Sequence, residues 1–170
     1  AFVNRPSQIA SETGAAITAL GEAAYQAMSA GIAPTRDMGD VLAVVEKSAR
    51  LASGGFTDTE TAISSSLSVL NAYKMGVDQL DKVQGILLQT QNKGVTTVGQ
   101  LGSALSKVTP TAAAFGLSFE EVATSIALMT KQGTNTDVAT TALSSALSEL
   151  GKSGTTASKN LEAAAQSAGL

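Results

Sequence analysis

The chain has 170 residues, 44% of them hydrophobic, a formal net charge of −3, and neither cysteine nor histidine. That composition excludes disulfide frameworks, thiol catalysis, most zinc sites and the usual general base at neutral pH. With charged residues at only 15% and no basic run, it also argues against binding nucleic acid by phosphate neutralisation.

The apolar fraction is mostly alanine, aromatics are 4% and tryptophan is absent. Small side chains bury little surface each but let helices approach closely, so thin, tightly spaced helices with a modest core are expected. No apolar run reaches the length of about 18 residues that a membrane-spanning helix needs. The start, AFVNRPSQ, lacks both an initiator Met and the pattern of a signal peptide. Both ends read as cut from a longer protein.

The first element is an Ala-rich helix from Pro6 to about Ala30. Ser7 is a candidate cap, Gly14 and Gly21 weaken the helix, and Gly31 and Pro34 stop it. Asp37 to Ala52 follows, with Val41, Val44, Val45, Ser48, Ala49 and Ala52 on one face. Thr57 and Glu60 have the spacing of a capping box for the next helix, which carries Ile63, Leu67 and Leu70 and runs to Lys74, with Gly76 as the stop. Asp78 is the expected cap of a helix bearing Leu80, Val83 and Leu87 and closing at Lys93 and Gly94. Gly85 sits inside it.

Lys93 to Gly133 is the most informative stretch. Thr97 precedes Gln100, and Ser118 precedes Glu121, each at capping-box spacing. Val98, Leu101, Leu105 and Val108 follow the first cap, and Phe119, Val122, Ile126 and Met129 the second. Pro110 is expected to break the first of these helices, leaving Thr111 to Phe115 as an extra turn. A last clear helix starts at Asn135 or Thr136, with Val138, Ala142, Leu143, Ala146, Leu147 and Leu150 inward. Thr155 to Ala168 is compatible with a weak further helix.

The expected fold is all-α: a compact array of about six to eight short antiparallel helices separated by Gly and Pro breaks. Gly55, Gly76, Gly94, Gly116, Gly133 and Gly151 recur at intervals of roughly 20 residues, a spacing typical of short helical units. The units share no clear consensus. Three segments are expected: 1–30, an Ala-rich helical segment; 31–151, the main helical domain; and 152–170, a tail or the start of a further helix.

Candidate chemistry is sparse. Glu120 with Glu121, and Asp78 with Asp81, are carboxylate pairs, but all sit in first helical turns, where negative charge favours the helix dipole. There is no G-x-S-x-G elbow and no Ser-x-x-Lys spacing. Gly99-Gln100-Leu101-Gly102 fits the G-x-x-G of an RNA-clamping loop, a match too short to weigh against an acidic chain. Tyr73 reads as a packing residue with its hydroxyl at the rim. No catalytic, metal-binding or cofactor-binding residue is assigned, and no cofactor is expected.

Several motifs in sequence carry a resemblance. Ala27-Met28-Ser29-Ala30-Gly31 is followed by the Asp37–Ala52 helix and by Gly55-Phe56-Thr57-Asp58. Then come Asn71-Ala72-Tyr73, the stretch Asp81 to Gly94, Pro110 with Ala112, Ala113 and Gly116, Ser118-Phe119-Glu120-Glu121, and Ala139-Thr140-Thr141-Ala142-Leu143. In this order and spacing, from about Ala24 to Leu150, the chain resembles the conserved domain of phage and prophage tail tape measure proteins, also called phage minor tail proteins. Gly85 departs from the pattern. The resemblance implies a non-enzymatic structural part of a phage tail, in a protein that sets tail length. It implies tail tube, tail tip and tail assembly chaperone proteins as partners, and a location inside the tail tube of the virion or in the host cytoplasm during assembly. Self-association is a further possibility that the Ala-rich stripes raise. Two other readings compete: a helical domain of a bacterial surface or secreted protein, and a wall-degrading enzyme domain. The lack of His argues against the second.

Overall fold

The computed structural model describes residues 4–29 and 38–152, together with Lys159. The expected stop at Gly31 and Pro34, the segment boundary at 30–31, the helix start at Asp37 and the weak helix from Thr155 to Ala168 lie outside the described residues. Among the described residues the fold is all-α, with eight helices and no strand. They are α1 (Arg5–Thr13), α2 (Ile17–Ser29), α3 (Met38–Gly54), α4 (Thr59–Ala72), α5 (Leu80–Lys93), α6 (Val98–Ala114), α7 (Phe119–Lys131) and α8 (Thr136–Leu150). A single 3-10 turn, Val77–Gln79, precedes α5.

The helices form two layers. The even-numbered helices pack side by side in one, with α4 on α6 and α6 on α8 the most extensive contacts, and the odd-numbered helices form the other. Consecutive helices are antiparallel and helices within a layer run parallel. Polar contacts fix that sense. Lys82 at the start of α5 meets Glu120 at the start of α7 (2.6 Å). At the other end, a side chain at Gly94 would meet Ala127 and Thr130 near the end of α7. The significant packing is between helices one or two apart in order. This quasi-linear arrangement is that of stacked helical repeats, in which each unit contacts only its neighbours. The lack of a sequence consensus conceals it.

One continuous core runs through both layers, from Ile9 and Leu20 through Val45, Ile63, Leu87 and Leu105 to Ile126 and Leu147. A buried polar link crosses it. Gln84 on α5 donates to Ser48 on α3 at 3.2 Å and reaches Ser66 on α4 at 3.5 Å. Close approach depends on small residues. A Cβ on Gly102 of α6 would run into Ser65 Oγ of α4, and one on Gly55 would lie 2.6 Å from a Val98 methyl.

Several expectations are corrected. Gly14, at φ 72, ends α1 and splits the first helix in two, with Asn4 at its N-cap and Ser7 inside it. The cap of α4 is Asp58, not Thr57. Its carboxylate accepts from Thr61 N at 2.7 Å and Thr61 Oγ1 at 2.8 Å, while Glu60 accepts from Gln26. Asp78 lies in the 3-10 turn and does not cap α5. Pro110 does not break α6, which continues to Ala114. Proline removes one N–H and frees the Ser106 carbonyl, but Pro110 is exposed, so that face of the helix opens to solvent. On α8, Val138, Ala142, Ala146 and Leu150 are exposed rather than inward; Thr136, Ala139, Thr140 and Leu147 are buried. The reason is position: among the described residues α8 ends the even layer, and no helix covers its far side.

Tyr73 also differs. Its ring packs on Phe119, with centroids 6.1 Å apart, and its hydroxyl is buried rather than at the rim. That hydroxyl has no hydrogen-bond partner among the described residues. Burial, followed by the charges of Glu120 and Glu121, pushes its pKa up to about 12. A buried unsatisfied hydroxyl is a cost, so Tyr73→Phe is expected to leave stability unchanged or raise it by up to about 1 kcal/mol. Thermal unfolding checks this; a loss of more than about 1 kcal/mol would mean the hydroxyl has a partner.

Candidate interaction surface

Four helix ends of this stack, those of α3, α4, α6 and α7, are closed by one repeated device. In a left-handed C-cap, the residue just past the helix takes positive φ and the next N–H reaches back to close the last turn. Gly116 (φ 75) and Gly133 (φ 93) fill that position after α6 and α7. The returning bonds run from Leu117 N to Ala112 O (3.0 Å) and from Thr134 N to Met129 O (3.1 Å). After α3 and α4 the same closures form, Thr57 N to Ala52 O (3.1 Å) and Met75 N to Leu70 O (2.8 Å). There the left-handed residues are Phe56 (φ 52) and Lys74 (φ 53), not the neighbouring glycines. Phe56 is 81% exposed, so burial does not offset its strained backbone. Lys74 lies outside α4, not in its last turn as expected.

Two of the three predicted capping boxes are present. Thr97 accepts from Gln100 N at 3.2 Å, and Gln100 accepts from Thr97 N at 3.2 Å. Ser118 accepts from Glu121 N at 3.3 Å, and Glu121 accepts from Ser118 N at 2.7 Å. The connectors at this end are tied together by side chains. Gln91 donates to Gly54 O (3.1 Å) and accepts from Val98 N (2.9 Å). Thr130 accepts from Val95 N (3.2 Å), and Thr136 donates to Thr96 (2.8 Å). The result is a firm edge that presents Phe56 and Val95, the latter 72% exposed.

The carboxylates weighed as acid–base pairs have other work. Glu121 is a cap, Glu120 pairs with Lys82, and Asp81 pairs with Lys47 at 2.8 Å. The bond from Lys82 holds Glu120 below the usual carboxylate range, and the Ser118 backbone N–H does the same for Glu121. Thr61 N–H lowers Asp58, and Arg5 lowers Glu46. Carboxylates with depressed folded-state pKa values add stability above their ordinary pKa, and lose it as pH falls through the lowered values. The melting temperature is therefore expected to hold above about pH 5 and to fall steadily below about pH 4. Asp58→Asn should flatten that acid fall, as measured by thermal unfolding across pH. The Gly99–Gly102 stretch is the first turn of α6, where Gly99 faces Thr57 and Gly102 faces Ser65, so it serves packing. Among the described residues no group of three or more His, Cys, Asp or Glu is placed to hold a metal ion, and no helix is long and apolar enough to cross a membrane.

An open groove of about 580 Å³ lies between α5 and α7. Ala123, Ala127 and Thr90 form its floor, Ile86 and Leu128 its apolar walls, and Lys93 and Lys131 one end. Nothing in the sequence marks these residues as a surface. Lys93 stands as a helix end, and Leu128 falls one place off the inward stripe of α7.

The sequence matches the family model described as Phage-related minor tail protein over residues 7–170. The chain belongs to the phage minor tail protein family. This tail-family chain is 50% identical over 158 residues to a probable tape measure protein of Clostridium phage phiCD119. The match covers 93% of the chain and 17% of that relative, so the chain spans about a sixth of the length of the curated protein it matches. No solved structure matches it. The resemblance read from the motifs thus identifies the family, and the fold class expected for it is the one observed.

Proposed function

We propose that this minor tail segment is part of a tape measure protein and acts there as a helical anchoring and interaction module, not as the ruler itself. The observation that carries this reading is the folded-back stack. Residues 38–150 as one continuous helix would span about 170 Å at 1.5 Å per residue. Instead, the longest helices have 17 residues, and each ends in a left-handed turn, at Phe56 after α3 and at Gly116 after α6. A segment that spends its length in reversals contributes little reach. It does build surface: the exposed Phe56 and Val95 edge and the α5–α7 groove.

The tail tube, the tail tip and a tail assembly chaperone are the partners this role calls for, with the virion tail as its location. A non-enzymatic role fits carboxylates that are taken up by caps and ion pairs. A two-layer stack is wider than a single helix of about 10–12 Å, so passage through a narrow tube requires the stack to come apart. Contacts restricted to near neighbours suit that, because the units can separate one after another.

An in-frame deletion of Gly55–Gly133 in the whole phage protein tests the reading. Anchoring predicts a sharp drop in the number of assembled tails, with the residual tails not shortened in proportion. Efficient assembly of tails shortened strictly in proportion to the residues removed would refute it.

A further inference from the structure

The α5–α7 groove carries a charge imbalance that packing does not explain. Among the lysines from Lys47 to Lys131, Lys47, Lys82 and Lys107 each hold an ion pair, with Asp81, Glu120 and Asp137. Among the described residues Lys74, Lys93 and Lys131 hold none, and two of these three line the same groove. Because α5 and α7 run parallel, both lysines emerge at the same end, in the last turns of the two helices. At the opposite end Glu120 is already neutralised by Lys82. The groove is therefore positive at one end and close to neutral at the other.

Its shape suits a helix. The floor residues Ala123 and Ala127 are small and lie on one face of α7, which allows another backbone close approach. Leu128, 57% exposed, stands along the wall with no helix over it among the described residues. Apolar residues at helical spacing on an incoming helix would cover Leu128 and Ile86 while its flanks met the lysines.

We propose that this groove docks an amphipathic helix of a partner protein whose apolar stripe is flanked by acidic residues, concentrated in its first turn. The helix lies antiparallel to α5 and α7. That orientation sets its positive dipole end beside the negative C-terminal ends of α5 and α7. Acidic first-turn side chains then meet Lys93 and Lys131. The proposal deepens the interaction-module reading by naming the surface and the chemistry of the partner. Its test uses the isolated chain, so its failure is separate from any result on tail length.

Two synthetic helical peptides with the same leucine stripe serve as probes, one with glutamate flanks and one with lysine flanks. A nitroxide label at the N-terminus reports orientation. The glutamate peptide is expected to bind saturably and to shift the amide signals of Ala123, Ala127 and Leu128. The label should broaden residues around Lys93 and Lys131. Lys93→Glu with Lys131→Glu should weaken the glutamate peptide about tenfold and bring the lysine peptide to tighter binding than the glutamate one. These lysines are exposed, so an unchanged helical circular-dichroism spectrum with a cooperative melt serves as the folding control, the charge reversal at two helix C-termini lowering the melting temperature only slightly. Equal binding of both peptides, no binding up to millimolar concentration, shifts centred elsewhere, or a self-dimer that occupies the groove would each overturn the proposal.

Discussion

Phe119→Ala is expected to destabilise the chain by about 3–5 kcal/mol, the usual cost of removing a buried aromatic ring and leaving a cavity. For a protein of this size that corresponds to a fall in melting temperature of about 10–15 °C. Phe119 is 1% exposed and is the first residue of α7. It packs beside the Tyr73 ring, which closes α4, so one side chain pins two helix ends. The adjacent Ser118–Glu121 capping box fixes where the helix begins and therefore where Phe119 points. Ser118→Ala should cost only about 1 kcal/mol, because it removes the cap and leaves the ring in place. Thermal unfolding of the two variants separates packing from capping. If Phe119→Ala cost no more than Ser118→Ala, the ring would not be holding the α4–α7 corner.

Gly102→Leu should lower stability by about 3 kcal/mol, at the upper end of overpacking costs. Even a Cβ there meets Ser65 Oγ, with Thr61 Cγ2 at 3.3 Å. Ser65 is buried and is held by a 2.6 Å bond to the Thr61 carbonyl, so it cannot simply turn aside. The larger side chain would force apart α4 and α6, the most extensive contact of the stack. Gly85 supplies the contrast. It also lies within a helix, α5, but a Cβ there meets nothing within 4 Å. Gly85→Ala is therefore expected to gain about 1 kcal/mol from helix propensity. Opposite signs at two helical glycines, measured by denaturant unfolding, would separate a packing glycine from a tolerated one.

Much of this fold is written locally. Thr97 with Gln100 and Ser118 with Glu121 specify helix starts through bonds that span only three residues. The stripes Val41–Ala52 and Val98–Val108 specify which faces are buried, and both are buried as read. What local pattern cannot express is the partner across the layer. Thr57 and Glu60 fit a capping box by spacing, yet Asp58 wins because a carboxylate takes both Thr61 donors. Pro110 reads as a breaker, yet its helix survives because that face opens to solvent. Val138 and Leu150 read as core and lie exposed because α8 is the last described helix of its layer. Phe56 and Lys74 sit in positive-φ positions that glycine normally takes, and the nearby Gly55 and Gly76 draw the eye instead.

The candidate surface was less legible than the fold. Lys93 and Lys131 are far apart in sequence, each with the ordinary look of a lysine near a helix end. Only the parallel run of α5 and α7 brings them to one mouth. Leu128 gives a faint signal, a large apolar residue outside the buried stripe of its own helix. Phe56 gives a stronger one, an aromatic in a Gly-Gly-Phe connector, although its exposure and left-handed backbone emerge only from the fold.

Tail length in virions carrying a tandem duplication of residues 38–152 tests the central claim most directly, because it adds sequence without removing any contact. An anchoring module predicts tails of unchanged length by electron microscopy, with at most a lower yield. A ruler segment predicts tails longer by about 170 Å, at 1.5 Å for each added helical residue. Uniform lengthening by that amount would contradict the account.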